Sequence, residues 1–342
     1  MKDLKYLIAY IPILSVYLGI YWQGIFSYSG LAIAFGVIPI VELFSKGKTA
    51  NLKPTEEDSA LRQRLFDWLL YLNLPLLYGL IAYYFYALNA FDLATFEIVG
   101  MTLSVGIMCG TSGINVAHEL GHRDQIFEQK IAQTLLLPEF YMHFFIEHNL
   151  GHHKHVATPH DPATSRFGEN IYAFFWRSVT QSYWSAWKIE RKILQKKELQ
   201  FWSINNRMLR FQLMQVGYLL AIGIVFGWSI IPYAIVIGII GFLLLESVNY
   251  IEHYGLQRKK LSSGKYEIIQ PKHSWNSNHP LGRIILYELT RHSDHHFKAT
   301  RKYQVLRHFD ESPQLPHGYP VAILTALVPP IWFATMNKRV EL

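Results

Sequence analysis

The chain has 342 residues, of which 51% are hydrophobic, 15% aromatic and only 17% charged, with a formal net charge of +7. A positive mean hydropathy with a high aromatic share fits an integral membrane protein with a substantial polar part, and the placement of charge decides against a soluble protein with long core helices. The single cysteine, Cys109, excludes an intramolecular disulfide, a Cys-based zinc site and a cysteine-ligated iron–sulfur cluster within one chain.

The basic residues are unevenly placed. Residues 6–45, 65–122 and 211–257 contain no Lys or Arg, and all 32 basic residues lie outside these windows. A helix needs about 20 apolar residues to cross a bilayer, so each window holds two spans. They are expected near Leu7–Tyr21, Ile25–Phe44, Trp68–Ala87, Leu93–Ile114, Gln212–Trp228 and Pro232–Tyr250. The first apolar run follows Lys2 and Lys5 like a signal peptide, but no A-x-A pattern follows it and it is read as the first span. Segment 131–147 is apolar but short and interrupted by Pro138, which predicts a buried or re-entrant piece at the membrane face. Segment 170–197 turns from aromatic to basic, as an interfacial helix or a solvated basic helix does. Segment 321–334 carries Pro329 and Pro330, so it is expected to cap the polar part and not to form a seventh span.

The expected fold is all-α: six transmembrane helices in three hairpins with a cytosolic, histidine-rich helical cap. It is one domain over 1–342, made of four spans in 1–117, a polar segment 118–210, two spans in 211–250 and a polar segment 251–342. Hairpin tips near Gln23, Asn89 and Ser229 carry no basic residue, whereas 46–64, 123–210 and 258–342 are rich in them. The positive-inside rule then puts both termini and the large loops in the cytoplasm, in an inner (cytoplasmic) membrane.

Sixteen histidines occur, none before His118. Nine fall in short runs: His118 and His122 in HELGH; His148, His152 and His153 in EHNLGHH; His253 in NYIEHYG; His292, His295 and His296 in RHSDHH. Residues three or four apart share a face of an α-helix, so each run projects imidazoles into a small volume. One metal takes at most five or six protein ligands, and nine candidates point to two metals. HELGH also matches the zinc protease motif H-E-x-x-H, but one zinc takes three protein ligands and would leave six clustered histidines unused. A metal transporter would hold its ligands near mid-bilayer, whereas these follow the ends of the fourth and sixth spans. The chain lacks a G-x-G-x-x-G motif after a strand, so no built-in flavin or nicotinamide site is expected and electrons must come from outside. Nothing in the pattern points to nucleic acid.

Five stretches, NVAHELGHR (115–123), HFFIEHNLGHHKHVATPHDPATSR (143–166), NYIEHYGLQR (249–258), HSWNSNH (273–279) and LTRHSDHHFKATRKYQVL (289–306), resemble the integral-membrane alkane hydroxylases within the wider desaturase/hydroxylase superfamily. The resemblance implies two iron ions held by His118, His122, His148, His152, His153, His253, His292, His295 and His296 without a bridging carboxylate. It implies O2-dependent hydroxylation of a terminal methyl of an n-alkane, with electrons from rubredoxin and its reductase. Arg123, His160 and Phe297–Lys298 depart from the family pattern. Fatty-acyl or carotenoid desaturation or hydroxylation, and xylene-type methyl hydroxylation, are the alternatives inside the superfamily.

Carboxylates near the boxes are expected to orient ligand imidazoles: Glu119, Glu147, Glu252 and Asp294, with His143 and His279 as hydrogen-bonding partners. For Asp161 the same role and a surface ion pair are equally weighted. A basic face with Arg166, Arg301, Lys302 and Arg307 beside the boxes is expected to dock an acidic donor.

Overall fold

The computed structural model describes residues 2–340, and every regular element in them is helical. Six helices are long and apolar enough to cross a membrane: α1 (Asp3–Trp22), α2 (Gly24–Leu43), α3 (Leu65–Ala90), α4 (Thr95–Gly121), then α7 (Arg207–Phe226) and α8 (Trp228–His253). Between them lie α5 (Ile126–Leu135) and α6 (Ile171–Lys196), and after them α9 (His292–Phe297), α10 (Tyr319–Ala326) and α11 (Pro329–Met336). The six spans fall where uninterrupted apolar sequence predicts them, because an apolar stretch of that length has no other way to satisfy its backbone in lipid.

α4 is the central pillar. It packs against α1, α2, α3 and α8, and 78% of its apolar window is buried, against 17% for the peripheral α7. Its neighbours come close because small residues face them. A Cβ at Gly106 would lie 2.6 Å from Ile240 Cβ, and one at Gly30 would lie 2.8 Å from Ser104 Cβ. Bilayer helices associate through this kind of tight packing, because apolar burial gives little advantage among lipid tails. The outer faces expose Ile25, Leu213, Ile224 and Val225.

The basic segments gather at one end of the bundle as a cap. The re-entrant expectation resolves into α5 followed by buried turns over 136–143. α6 is a 26-residue amphipathic helix capped by Asn170, whose side chain accepts from the Ala173 amide; Trp176 and Trp184 are exposed on it, and Phe174, Ser178, Ser182 and Ala186 face inward. α10 and α11 break at Leu327–Val328, before Pro329, and pack Tyr319, Trp332 and Met336 onto Tyr250, Tyr254 and Trp275.

Candidate metal centre

Four chain segments deliver the nine histidines. α4 ends in HELGH and α8 ends at His253, where Gly255, at φ +73, turns the chain and donates its amide to Ser165 O. The second box begins in the short helix Phe144–Glu147 and passes through a π-turn, His148–His152. The third box is α9. Its register is fixed by the HSWNSNH loop: Asn276 exchanges two hydrogen bonds with Ser293, at 2.7 and 2.8 Å, and the Trp275 amide donates to Glu252 O at 2.8 Å.

The ligand atoms form two groups. One holds His118, His122, His148, His153 and His295, the other His152, His253, His292 and His296, and within each group they lie within 4.8 Å of one another. The split is not the one that α-helical spacing predicts. At 3.6 residues per turn, positions i and i+5 point about 140° apart. The π-turn adds a residue to the turn, which brings His148 and His153 into one group and sends His152 to the other. In α9 the α-helical rule holds for His292 and His296, and His295 crosses over.

Neighbouring Nε2 atoms lie 3.0 Å apart for His148–His122, His153–His148 and His153–His295, and 3.2, 3.3 and 2.8 Å for His152–His296, His292–His253 and His296–His292. Chains of imidazole nitrogens facing one another cannot all be donor–acceptor pairs. Two nitrogens bound to one metal at about 2.1 Å and at right angles stand about 3.0 Å apart, and these spacings match that edge length. Burial first, then neighbouring imidazoles, hold His148, His153, His292, His295 and His296 well below the ordinary histidine range, and His122 at about 3. They are therefore neutral lone-pair donors at pH 7.

Asp161 does what was expected of several other carboxylates. Its Oδ2 accepts from His152 Nδ1 at 2.9 Å and from Thr164 Oγ1, and its Oδ1 accepts from the Ala163 amide at 3.1 Å. Burial alone would depress His152, but the facing Asp161 carboxylate outweighs it and raises the imidazole. Glu252, held by Tyr319 at 2.6 Å, brings Oε2 to 3.1 Å from His292 Nε2, on the side where the ligand atoms converge.

The other expected orienting groups lie elsewhere. Glu119 Oε1 accepts from Arg123 Nη2 and Nε at 2.8 and 3.0 Å and from the Tyr303 amide at 3.2 Å. It therefore faces away from the ligand atoms, and the protease assignment of HELGH loses its base. Asp294 lies on the α9 face opposite the ligands, where Oδ2 accepts from the Arg307 amide at 2.7 Å and pairs with Arg301 Nε at 3.2 Å. Glu147 accepts from Ser185 Oγ at 3.3 Å, and burial lifts its carboxyl to about 8. His143 is buried against the Tyr141 ring, centroids 4.3 Å apart, with no partner for Nε2; half-buried His279 leaves Nδ1 unpartnered. Neither is bonded to a ligand imidazole.

The cations beside the boxes are largely engaged. Arg307 grips Glu57 through two bonds at 2.6 and 2.8 Å, Arg301 pairs with Asp294, and Lys302 pairs with Asp67 at 3.2 Å. Arg166 is exposed.

A cavity of about 40 Å³ opens on His118, His148 and His292. Leu244, Leu245, Val248, Leu286 and Leu289 make its wall apolar, and Asn115, Asn249 and Glu252 supply its polar atoms. Its lining has the mostly apolar character of a small-molecule site, suited to an apolar group reaching the imidazoles.

The fatty acid desaturase family profile matches residues 94–324. An alkane 1-monooxygenase of Pseudomonas putida is 40% identical over 318 residues, covering 93% of this chain and 79% of that protein. Alkane 1-monooxygenase 2 of Pseudomonas aeruginosa is 37% identical over 351 residues, covering 100% of this chain and 93% of the relative. The xylene/toluene monooxygenase hydroxylase component XylM of P. putida is 30% identical over 279 residues, covering 78% and 72%.

Proposed function

We propose that this chain, which belongs to the alkane 1-monooxygenases of the fatty acid desaturase family, hydroxylates the terminal methyl group of an n-alkane, consuming O2, two electrons and two protons and releasing the primary alcohol and water. The observation that carries the reading is the pairing of two buried imidazole clusters with an apolar cavity that ends on three of their members. Soft-to-borderline nitrogen donors without thiolate suit iron, and we assign one iron to each cluster. Iron bound there supplies the O2 and electron chemistry that organic side chains lack.

The protein's own groups do the rest. The nine imidazoles present lone pairs, with the His152 proton held on Nδ1 by Asp161. Leu244, Leu245, Val248 and Leu289 hold the hydrocarbon and keep bulk water from the reacting carbon. The chain has no redox relay of its own, so the electrons come from a rubredoxin and its reductase. Lys and Arg distribution supports a multi-pass inner-membrane orientation with both termini and the cap in the cytoplasm, where that donor is found. The likeness to XylM and the apolar cavity extend the substrate class to methyl groups on aromatic rings.

The test is to incubate the purified enzyme with rubredoxin, its reductase and a mixture of n-alkanes, fatty acids and xylenes under O2, and to identify the products. Primary alcohols from alkanes, with about two irons per chain by elemental analysis, are expected. Desaturated acyl chains, or one zinc and no iron, would overturn the reading.

A further inference from the structure

A second, narrow cavity of about 10 Å³ lies behind His148 and His152 and has a different lining. Its walls include Tyr141, His143, Glu147, Ser182, Glu246 and Asn249. The proposed reaction does not account for most of these groups, and burying them is costly unless they act or are fully bonded.

Glu246 is the centre of the chamber. It is 1% exposed and sits within the apolar helix α8. Its Oε1 accepts from Tyr141 Oη at 2.8 Å and its Oε2 from Ser178 Oγ at 2.5 Å. Neither oxygen bonds a ligand imidazole. Ser178, Ser182 and Ser185 follow at intervals of four and three on α6 and so share one face. Ser178 meets Glu246, Ser182 lines the chamber, and half-buried Ser185 meets Glu147 at 3.3 Å, nearest the surface. The imidazole Nε2 of His143, 4% exposed, is also without a partner. Asn249, one turn after Glu246, lines both this chamber and the apolar cavity.

The stoichiometry RH + O2 + 2 e⁻ + 2 H⁺ → ROH + H2O requires two protons from solvent. The apolar cavity has few polar groups, Asn115, Asn249 and Glu252 among them, whereas the chamber, with about 10 Å³ of free space, aligns hydroxyls and carboxyls around room for about one water. We propose that the chamber is the proton-delivery site of the enzyme, with Glu246 as its relay: protons enter beside Ser185, are taken up at the Glu246 carboxyl, and pass by water beside Asn249 into the apolar cavity. Each transfer breaks one O–H bond and forms another, and the electrons still come from the external donor. This inference rests on the monooxygenase reading.

The test uses the full-length, iron-loaded enzyme with its rubredoxin donor, and measures alcohol formation in H2O and D2O. Glu246→Gln should lower kcat about 100-fold, enlarge the solvent isotope effect, and leave iron content and alkane KM within twofold of wild type. Glu246→Asp should recover part of the rate. Tyr141→Phe and Ser178→Ala keep the carboxyl and remove one bond each; they should lower kcat about threefold to tenfold with the same rise in isotope effect. Wild-type kcat and isotope effect in Glu246→Gln would overturn the relay while leaving the hydroxylase reading intact. So would loss of iron in Glu246→Gln together with wild-type isotope effects in Tyr141→Phe and Ser178→Ala. If wild-type enzyme made no alcohol from any alkane, the hydroxylase reading and the relay would fall together.

Discussion

Replacing Asp161 by Asn should weaken metal retention at the four-histidine cluster specifically. The carboxylate now accepts three hydrogen bonds, from His152 Nδ1, Thr164 Oγ1 and the Ala163 amide. An amide can keep the Ala163 bond through its oxygen, but its NH2 then faces two donors. Either His152 loses its anchor, or its proton moves to Nε2 and the ligating lone pair is gone. A hydrogen bond to a charged group contributes about 1.5–3 kcal/mol, and loss of such an orienting partner typically weakens metal binding about 10- to 100-fold. The assay is iron per chain after dialysis against graded chelator, beside the far-UV spectrum to confirm the fold. Wild type should retain about two irons where Asp161→Asn retains about one. Asp294→Asn is the control, because Asp294 bonds Arg301 and the Arg307 amide instead of an imidazole. If Asp161→Asn held iron like wild type, or Asp294→Asn lost more of it than Asp161→Asn did, the assignment of Asp161 as the anchor of His152 would be wrong.

Val248→Trp should fill part of the cavity that ends on His292, shifting kcat/KM toward shorter alkanes with iron content unchanged, as read by product distribution from a chain-length mixture. Gly151→Ala puts its methyl against Glu147 Oε1, the end of a side chain that must swing away from Ser185; a slightly lower melting temperature with iron content unchanged is expected, checked by thermal unfolding and elemental analysis. Arg307 and the charge beside it hold the Glu57 carboxyl below the ordinary carboxylate range. Stability from that clamp is therefore present above the unfolded carboxylate pKa and is lost as pH falls through the lower folded value. Glu57→Gln should cost about 1 kcal/mol at pH 7 and reduce the slope of melting temperature against pH in the acid range. Arg301→Glu places a carboxylate against Asp294 and Glu57, so it should destabilise the cap; Arg166→Glu, at an exposed position, should raise the rubredoxin KM without changing the melting temperature.

The six spans were legible in sequence because twenty apolar residues without a charge have few fates, and the absence of Lys and Arg marked their pairing. That the nine clustered histidines converge was legible from their type and spacing, but their partition into two groups was not. Sequence spacing was converted to geometry with an α-helical period, and the π-turn at His148–His152 changes that period. A Gly at 151, where a side chain would meet Glu147, was the local signal. Asp294 lies between two ligands in sequence and so invited a role that the helix denies it, by pointing it outward to Arg301. Asp161 was separated from the box by Thr158–Pro159–His160, and only the turn that folds it back onto His152 reveals the contact. Glu246 was read as part of a span, since periodicity cannot show that Tyr141 and Ser178, more than sixty residues away, would meet it.

The crossing of α9 between the clusters has a consequence for biosynthesis. His295 completes the five-histidine set, and His292 and His296 complete the four-histidine set. Neither can close until the last box has left the ribosome and been clamped by Asn276. A nascent chain holding only HELGH and EHNLGHH supplies four members of the five-histidine set and one, His152, of the other. The four-histidine set therefore cannot assemble until the polypeptide is nearly finished, and a translation product truncated before α9 would lack it.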